Sequence, residues 1–516
     1  WQKLTRTSKK YDLQSEITSF VSIDGTTEIQ LIKITNLSEE EQEVTPIVAI
    51  PVYGRSADNI RDHRHVTSLL HRIDTKECGV EVTPVLSFDE RGHQKNDTTY
   101  FVYGFTAEGN APKEFYPTVE SFIGEGGSFL IPEAVRVEKT GCTAGCHLEG
   151  KEAVGAFRFE RRKLKANESI EYVVLAGATG EKASISKICT LFGTKEQAEN
   201  ELAKVKKYWT EKVNVEFETG DEATDNYLKW ICFQPILRRI YGCSFLPYHD
   251  YGKGGRGWRD LWQDCLALLI MNPSNVRQMI VDNYGGVRID GTNATIIGNK
   301  QGEFIADRNN ITRVWMDHAF WPFVTTRLYL DQTGDMDVLF EKVPYFKDLQ
   351  SMRGTAHDKL WNSEYGQKQK TERDHIYFGT VLEHILLQNL CAFYDVGEHN
   401  EMRLHGADWN DALDMAWEKG ESVAFTCAYA GNLRNIAKTL RQLEEISGSS
   451  KIEIAHEMED LLAGSVELYE DAARKQALLA GYAKKCEHNI SGDTIVVRLD
   501  QLAANLEGKA DWMMKN

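Results

Sequence analysis

The hydrophobic period of this chain changes once along its length, and that change limits the available folds more than any other feature. Up to about residue 190, apolar residues recur with period two. Ile29-Gln30-Leu31-Ile32-Lys33-Ile34-Thr35 alternates, and residues 44–53, 80–88, 99–105 and 170–175 are β-branched or aromatic runs bounded by Gly, Asp and Asn turns. Such strands imply a β-sandwich over residues 1–190. From about 222 the period is helical, with helices expected over 223–241, 260–271, 273–284, 314–330, 335–348, 375–394, 423–446, 452–485 (broken near Gly464 or Tyr469) and 494–506. The charged segment 195–213 reads as a connecting helix within a linker region, 191–221. Trp marks the same boundary: it is missing from 2 to 208 and then occurs nine times from Trp209 to Trp417. The expected class is α+β and multidomain, with a helical barrel or toroid over 222–516 that carries a site at one rim.

A chain of 516 residues has enough apolar content for two or more cores. Its net charge of -17 argues against nucleic acid or an anionic membrane surface as the main partner, but permits a small anion in a local basic pocket. No run approaches the roughly 18 apolar residues of a membrane span, and no leader opens the chain. Ten irregularly spaced cysteines read as small buried hydrophobes, so a reducing cytoplasm is expected. Cys142, Cys146 and His147 have ligand chemistry, yet no second pair at zinc-site spacing accompanies them, and no metal or cofactor is expected.

Two polar-aromatic clusters stand out. In Leu404-His405-Gly406-Ala407-Asp408-Trp409-Asn410-Asp411-Ala412-Leu413-Asp414, three aspartates fall three apart. On a helix they share one face, where crowding hinders proton release and lets one act as a general acid near neutral pH. Trp409 beside them suits a sugar, whose apolar face covers an indole. The bland alternative is a capped, Asp-rich helix start. Upstream, the glycines of Tyr248 to Gly257 lack both the dinucleotide fingerprint and a phosphate-loop ending, so no nucleotide is expected. They lead into Arg259, Asp260, Gln263 and Asp264, a density of side chains able to bind several hydroxyls at fixed angles, or simply an ion-paired helix start. Trp315, Trp321 and Trp361 read as core aromatics more than as sugar platforms. Asp317 and His318, expected on a helix, form a polar pair inside an apolar stretch.

Arg-Asp-x-x-Gln-Asp at 259–264, Trp-Met-Asp-His at 315–318 and Asp-Trp-Asn-Asp at 408–411 stand in an order that resembles glycoside hydrolase family 94, the inverting glycoside phosphorylases related to cellobiose and chitobiose phosphorylase. The Gly-Gly-Val-Arg-Ile-Asp-Gly-Thr-Asn segment at 285–293 looks most like the branch acting on β-1,2-linked oligoglucans of the sophorose type. The resemblance implies a β-sandwich, a linker helix and an (α/α)6 barrel. It implies inverting phosphorolysis of a β-glucoside, with inorganic phosphate as co-substrate and α-glucose 1-phosphate as product. Asp411 is then the general acid, Trp409 lines the donor subsite, and Arg259, Asp260, Gln263 and Asp264 hold the transferred unit. Asp408 and His405 complete the substrate-binding set. His249, His318 or His405, with Arg and Lys of the loops, would neutralise the phosphate.

Family members continue beyond the Asp-Trp-Asn-Asp region, and twelve barrel helices are needed where about nine segments are read. The expectation is therefore a barrel incomplete in this chain, with phosphate ligands beyond residue 516, and a homodimer or an association with the rest of a longer polypeptide. An inverting hydrolase on the same toroid would need a second carboxylate, for which Asp250, Asp260 and Asp317 are the candidates. A cellobiose- or cellodextrin-type phosphorylase and a non-catalytic glycan-binding protein are the other readings.

Overall fold

The computed structural model describes residues 1–54, 64–89, 92–180, 182–213, 215–241, 256–294, 296–297, 301–305, 314–405 and 411–516. Its contacts divide into two compact units, one of the described residues up to 213 and one of those from 215 onward.

The first unit is built on an eight-stranded antiparallel sheet. Its central strands are Thr27–Asn36, Ser169–Thr179, Thr99–Thr106 and Gly79–Pro84. Period two sorts their side chains onto two faces. Phe101, Tyr103, Phe105, Val173 and Leu175 pack on one side against Ile185, Ile188, Phe192, Ala198 and Val205. These come from the helices Lys182–Phe192 and Lys195–Lys212. Val102, Tyr172 and Val174 face the other way, onto a three-stranded sheet of Glu114–Phe115, Ala153–Arg158 and Ile47–Val52. The two sheets touch where Gly104 has no side chain: a Cβ there would lie 2.2 Å from the Phe157 ring. The segment expected to connect the domains is thus a helix lying on the first unit's sheet. It begins at a capping box in which Thr194 accepts from the Gln197 N–H and Gln197 accepts from the Thr194 N–H.

In the second unit, among the described residues, eight helices have nine residues or more. The helix Val381–Tyr394 is buried at every position. It packs against Val276–Tyr284, Phe320–Thr333, Val423–Ser447 and Ala472–Lys485, which makes it the axis of the unit. Helices Trp258–Met271 and Leu499–Lys515 pack on members of this ring. No helix among the described residues is long and apolar enough to cross a membrane.

Five expected helices begin differently. Residues 335–348 form a 3-10 turn, Met336–Phe340, then a strand, Lys342–Pro344, because Pro344 cannot continue a helix. Residues 375–394 open with the strand Phe378–Thr380 before the helix starts at Val381. The strands Lys451–Ala455 and Thr494–Arg498 pair with each other where 452–485 and 494–506 were expected to begin as helix. Residues 316–319 form a turn, so Asp317 and His318 precede the helix Phe320–Thr333 instead of lying on it.

Candidate active site

The first turn of the helix Trp258–Met271 is fastened to the turn before Phe320. Trp258 and Trp262 are fully buried and anchor that helix, and the Trp258 indole N–H donates to the His318 carbonyl (2.9 Å). Next to it, Arg259 grips Asp317 with two guanidinium nitrogens, Nε onto Oδ2 and Nη2 onto Oδ1 (2.7 Å). Its guanidinium lies 5.5 Å from the Trp315 ring centre, and the Trp321 indole donates to Asp317 Oδ2 (3.0 Å). Burial works to raise the Asp317 pKa, but the Arg259 bonds prevail and the carboxyl stays below its usual range. Asp317 is therefore an ionised structural anchor with both oxygens occupied.

A second network runs behind the same cavity. Asp290 accepts from the Thr292 N–H (3.0 Å) and hydroxyl (2.6 Å) and from the Arg353 N–H (2.8 Å). Arg353 donates on to the Asp290 carbonyl and to Asp395 Oδ2, each at 2.8 Å. His405 Nε2 lies 2.9 and 3.0 Å from the two Asp395 oxygens, which can only accept, so this nitrogen carries a proton. Burial opposes ionisation of Asp395, yet His405 and Arg353 together hold its carboxyl well below the usual carboxylate range. The loop that presents Arg353 has left-handed backbone at three successive residues, Met352, Arg353 and Gly354, and His405 is left-handed as well. For a residue other than Gly such a conformation costs about 1 kcal/mol, and it persists where surrounding contacts over-determine it.

The two networks meet through the backbone. Trp315 and His405 form an antiparallel bridge, which seats the backbone at His405 on the turn that holds Asp317. Between them lies a small cavity of about 30 Å³, walled by Trp315, His318, Arg353, Gln388, Asp395 and His405. His318 is fully buried, and burial lowers its pKa to about 3, so it is neutral at any working pH. Asn293 Nδ2, identified as the nitrogen by its bond to the Ala294 carbonyl (2.8 Å), donates to His318 Nδ1 (3.1 Å). The imidazole proton therefore sits on Nε2, which has no partner among the described residues; neither polar atom of the Gln388 amide has one either.

The predicted residues fall unevenly around this cavity. His405 lines it, and Arg259 backs its Trp315 wall. Asp260, Gln263 and Asp264 occupy the first two turns of the Arg259 helix, with Asp264 buried and the other two half-buried, and none of the four lines the cavity. Asp408 and Trp409 lie outside the described residues, as do His249 and Asp250. Asp411 opens a 3-10 helix, Asp411–Ala416, whose period of three returns position 414 to the side of position 411; the Asp411 side chain itself is not described. Two expectations are corrected. His318 cannot neutralise phosphate as a cation, because burial keeps it uncharged. Trp315, read as a core aromatic, is half-buried and forms a wall of the cavity. His147, weighed as a metal ligand, is taken up by Asp74 (2.7 Å) and Glu149 (3.2 Å), and no group able to hold a metal occurs among the described residues.

Residues 3–195 match the family model "Glycosyl hydrolase 94, supersandwich domain", and residues 208–366 match "Glycosyl hydrolase 94 superfamily, catalytic domain". The chain belongs to glycoside hydrolase family 94. Its first unit is thus the family's supersandwich domain, and its helical unit carries the family's catalytic domain, with Arg259 and Asp317 inside the matched part. This family 94 chain is similar to solabiose phosphorylase of Paenibacillus borealis, 24% identical over 441 residues, covering 84% of the chain and 49% of that protein. It is also similar to the cyclic beta-(1,2)-glucan synthase NdvB of Rhizobium meliloti (strain 1021), 26% identical over 241 residues, covering 45% of the chain and 8% of that protein. The chain thus spans about half the length of the first relative and much less of the second. Among solved structures, a bacterial glucoamylase complexed with acarbose aligns over 93% of the chain and 56% of its own, at 11% identity and a TM-score of 0.45.

Sequence reasoning missed Arg353, Asp395 and Gln388. The first two carry no local pattern. The third left a signal: Gln388-Asn389, like Glu383-His384 one turn earlier, is a polar pair in a mostly apolar helix, where buried polar groups need partners.

Proposed function

We propose that this family 94 chain carries out inverting phosphorolysis of a β-glucoside, with inorganic phosphate attacking the anomeric carbon and Asp411 protonating the leaving oxygen. In this reading Trp409 and Asp408 lie with Asp411 at the donor sugar, Arg259, Asp260, Gln263 and Asp264 shape its subsite, and the helices belong to an (α/α)6 barrel. The product is α-glucose 1-phosphate, and the reaction is reversible. A β-1,2-glucan of the sophorose type is the substrate we favour, supported by the 285–293 segment and by the similarity to a protein named for β-(1,2)-glucan. The similarity to a phosphorylase supports the reaction type. The free thiols of the described cysteines support a cytoplasmic setting.

The observation that carries the choice of phosphorolysis is the state of the carboxylates. An inverting hydrolase needs a second carboxylate free to activate water. Asp395 is the carboxylate among the described residues lining the cavity, and His405 and Arg353 occupy both its oxygens; Asp317 is clasped by Arg259 and Trp321. A phosphate nucleophile needs no such base. The test is to incubate the chain with sophorose and with other β-linked glucose disaccharides, with and without inorganic phosphate. Phosphate-dependent formation of α-glucose 1-phosphate, abolished by Asp411→Asn without loss of folding, is the expected result. Sugar release without phosphate, or a tenth of the rate surviving in Asp411→Asn against the roughly 10²–10⁴-fold typical of a general acid, overturns it.

A further inference from the structure

The stretch from Cys142 to Cys146 brings two free thiols to one place in the first unit, and each is held by a different sheet. The Cys142 N–H and carbonyl both pair with Phe115 (2.9 Å each), so Cys142 hangs on the three-stranded sheet. Cys146 belongs to the eight-stranded one. Its carbonyl accepts from the Thr75 N–H and its own N–H donates to the Thr75 hydroxyl, both at 2.9 Å. That hydroxyl donates in turn to the Thr143 carbonyl (2.8 Å), and the Gly145 N–H donates to the Thr75 carbonyl (2.9 Å). A single buried threonine thus fixes the turn between the two cysteines, which Gly145 closes with φ +90° and open space around it.

Period two decides where the sulfurs point. The strand His147–Glu149 pairs with His71–Lys76 in the register His147↔Asp74 and Leu148↔Ile73. Cys146, opposite Thr75, therefore shares the inward face of Leu148 and Ile73. Cys142 packs with Leu148 against the same buried cluster, around Ile73, Phe115 and Phe157. The thiols accordingly interact: burial first, and then the Cys146 thiol, push the Cys142 thiol up to about 11. Both side chains remain partly exposed at the rim of the cluster, within reach of a small solute. A dithiol whose thiolate gains nothing from its surroundings is easier to oxidise at equilibrium than one whose reduced form is stabilised.

We propose that Cys142 and Cys146 are a reversible modification site, which a small-molecule disulfide of the glutathione type converts into a cystine that staples the edges of the two sheets. The Cys146 thiolate attacks one sulfur of the small disulfide and expels the first thiolate; the Cys142 thiolate then attacks the Cys146 sulfur of the mixed disulfide and expels the second. One S–S bond breaks and one forms, the protein loses two protons, and its two electrons pass to the two released thiols. Burial disfavours the Cys142 thiolate and so assigns Cys142 to the second, intramolecular attack.

The experiment equilibrates the whole chain with mixtures of reduced and oxidised glutathione, quenches in acid, alkylates the remaining free thiols and reads the tryptic peptide from Thr140 to Lys151 by mass spectrometry. The expected product is this peptide short of two hydrogens, restored by dithiothreitol. Closing so short a ring costs the unfolded chain entropy that the folded turn has already given up, so the ratio of cystine to dithiol is on the order of tenfold or more above that of the chain unfolded in guanidinium. Cys142→Ser stops at a glutathione adduct on Cys146, and the oxidised unaltered chain melts no lower than the reduced one. A ratio no higher in the folded chain than in the unfolded one, a glutathione adduct that persists on the unaltered chain in place of the cystine, or a cystine that lowers the melting temperature overturns the proposal.

Discussion

Asp317→Asn isolates the contact that ties the two ends of the site together. Arg259 is 7% exposed and Asp317 5% exposed, and the pair is bidentate, so the substitution leaves a buried guanidinium facing an amide. Breaking a buried pair from one side costs about 3–5 kcal/mol. The Trp321 indole keeps an acceptor only if the amide oxygen turns toward it, which then exposes Arg259 to the amide nitrogen. With a urea dependence of about 3 kcal/mol per molar for a unit of this size, the midpoint falls by roughly 1–1.7 M. Tryptophan fluorescence during urea unfolding reads this directly, because most of the tryptophans lie in the second unit. The double variant Arg259→Met/Asp317→Leu should recover most of the loss, since two apolar side chains replace two charges together. A midpoint within about 0.3 M of the parent in Asp317→Asn, roughly 1 kcal/mol by the same slope, would mean that water reaches the pair, and the account of Asp317 as an anchor would be wrong. So would a double variant that costs the sum of the singles.

Two further perturbations test other parts of the helical unit. Glu383 is 1% exposed and accepts from the Tyr345 and Tyr377 hydroxyls and the Ala455 N–H, and burial raises its pKa from 4.5 to about 7. The folded chain then holds this proton more tightly than the unfolded one. Its contribution, on the order of 3 kcal/mol, is fully present below about pH 4.5 and is lost as pH rises through about 7. Glu383→Gln should flatten that fall in urea midpoints between pH 5 and 8, and parallel profiles for the two proteins would count against it. Gly291 has φ +82°, and a Cβ there would sit 2.6 Å from the Cys391 sulfur and 3.1 Å from Arg353 Nη1. Gly291→Ala should cost about 2–4 kcal/mol through left-handed strain and overpacking, seen as a lowered melting temperature; an unchanged one would show that the Arg353 loop gives way freely.

The sequence reads best where one period runs uninterrupted. The strand Thr27–Asn36 and the helices Glu222–Tyr241 and Val423–Ser447 start and stop within three residues of expectation, since alternation or a long amphipathic stripe is a property of each segment alone. The misread starts are places where a short strand abuts a helix. Lys451-Ile452-Glu453-Ile454-Ala455 buries Ile452 and Ile454 with period two, but the helical tract after it absorbed those residues into one run. At 375–394 the marker was present: Thr380, three residues ahead of Glu383, accepts from the Glu383 N–H and starts the helix. A capping signal outranks a hydrophobic period at a boundary, because it satisfies an N–H that the period leaves unpaired.

The site is less visible for a different reason. Arg259 and Asp317 are 58 positions apart, and Arg353 and Asp395 are 42 apart. Arg259 and Asp317 each sit in a motif, but nothing local pairs one with the other, and Arg353 and Asp395 carry no motif at all. Sequence reasoning accordingly gave Arg259 to the sugar, although its charge is spent on Asp317 and on the face of Trp315. That reassignment changes what the motif accomplishes. Arg259 fixes the turn that carries Trp315 and His318, and the same turn pairs with the backbone at His405. The Trp315 ring, the neutral His318 and the backbone at His405 are thereby held to one buried ion pair. Disturbing the pair should lower sugar affinity and turnover together.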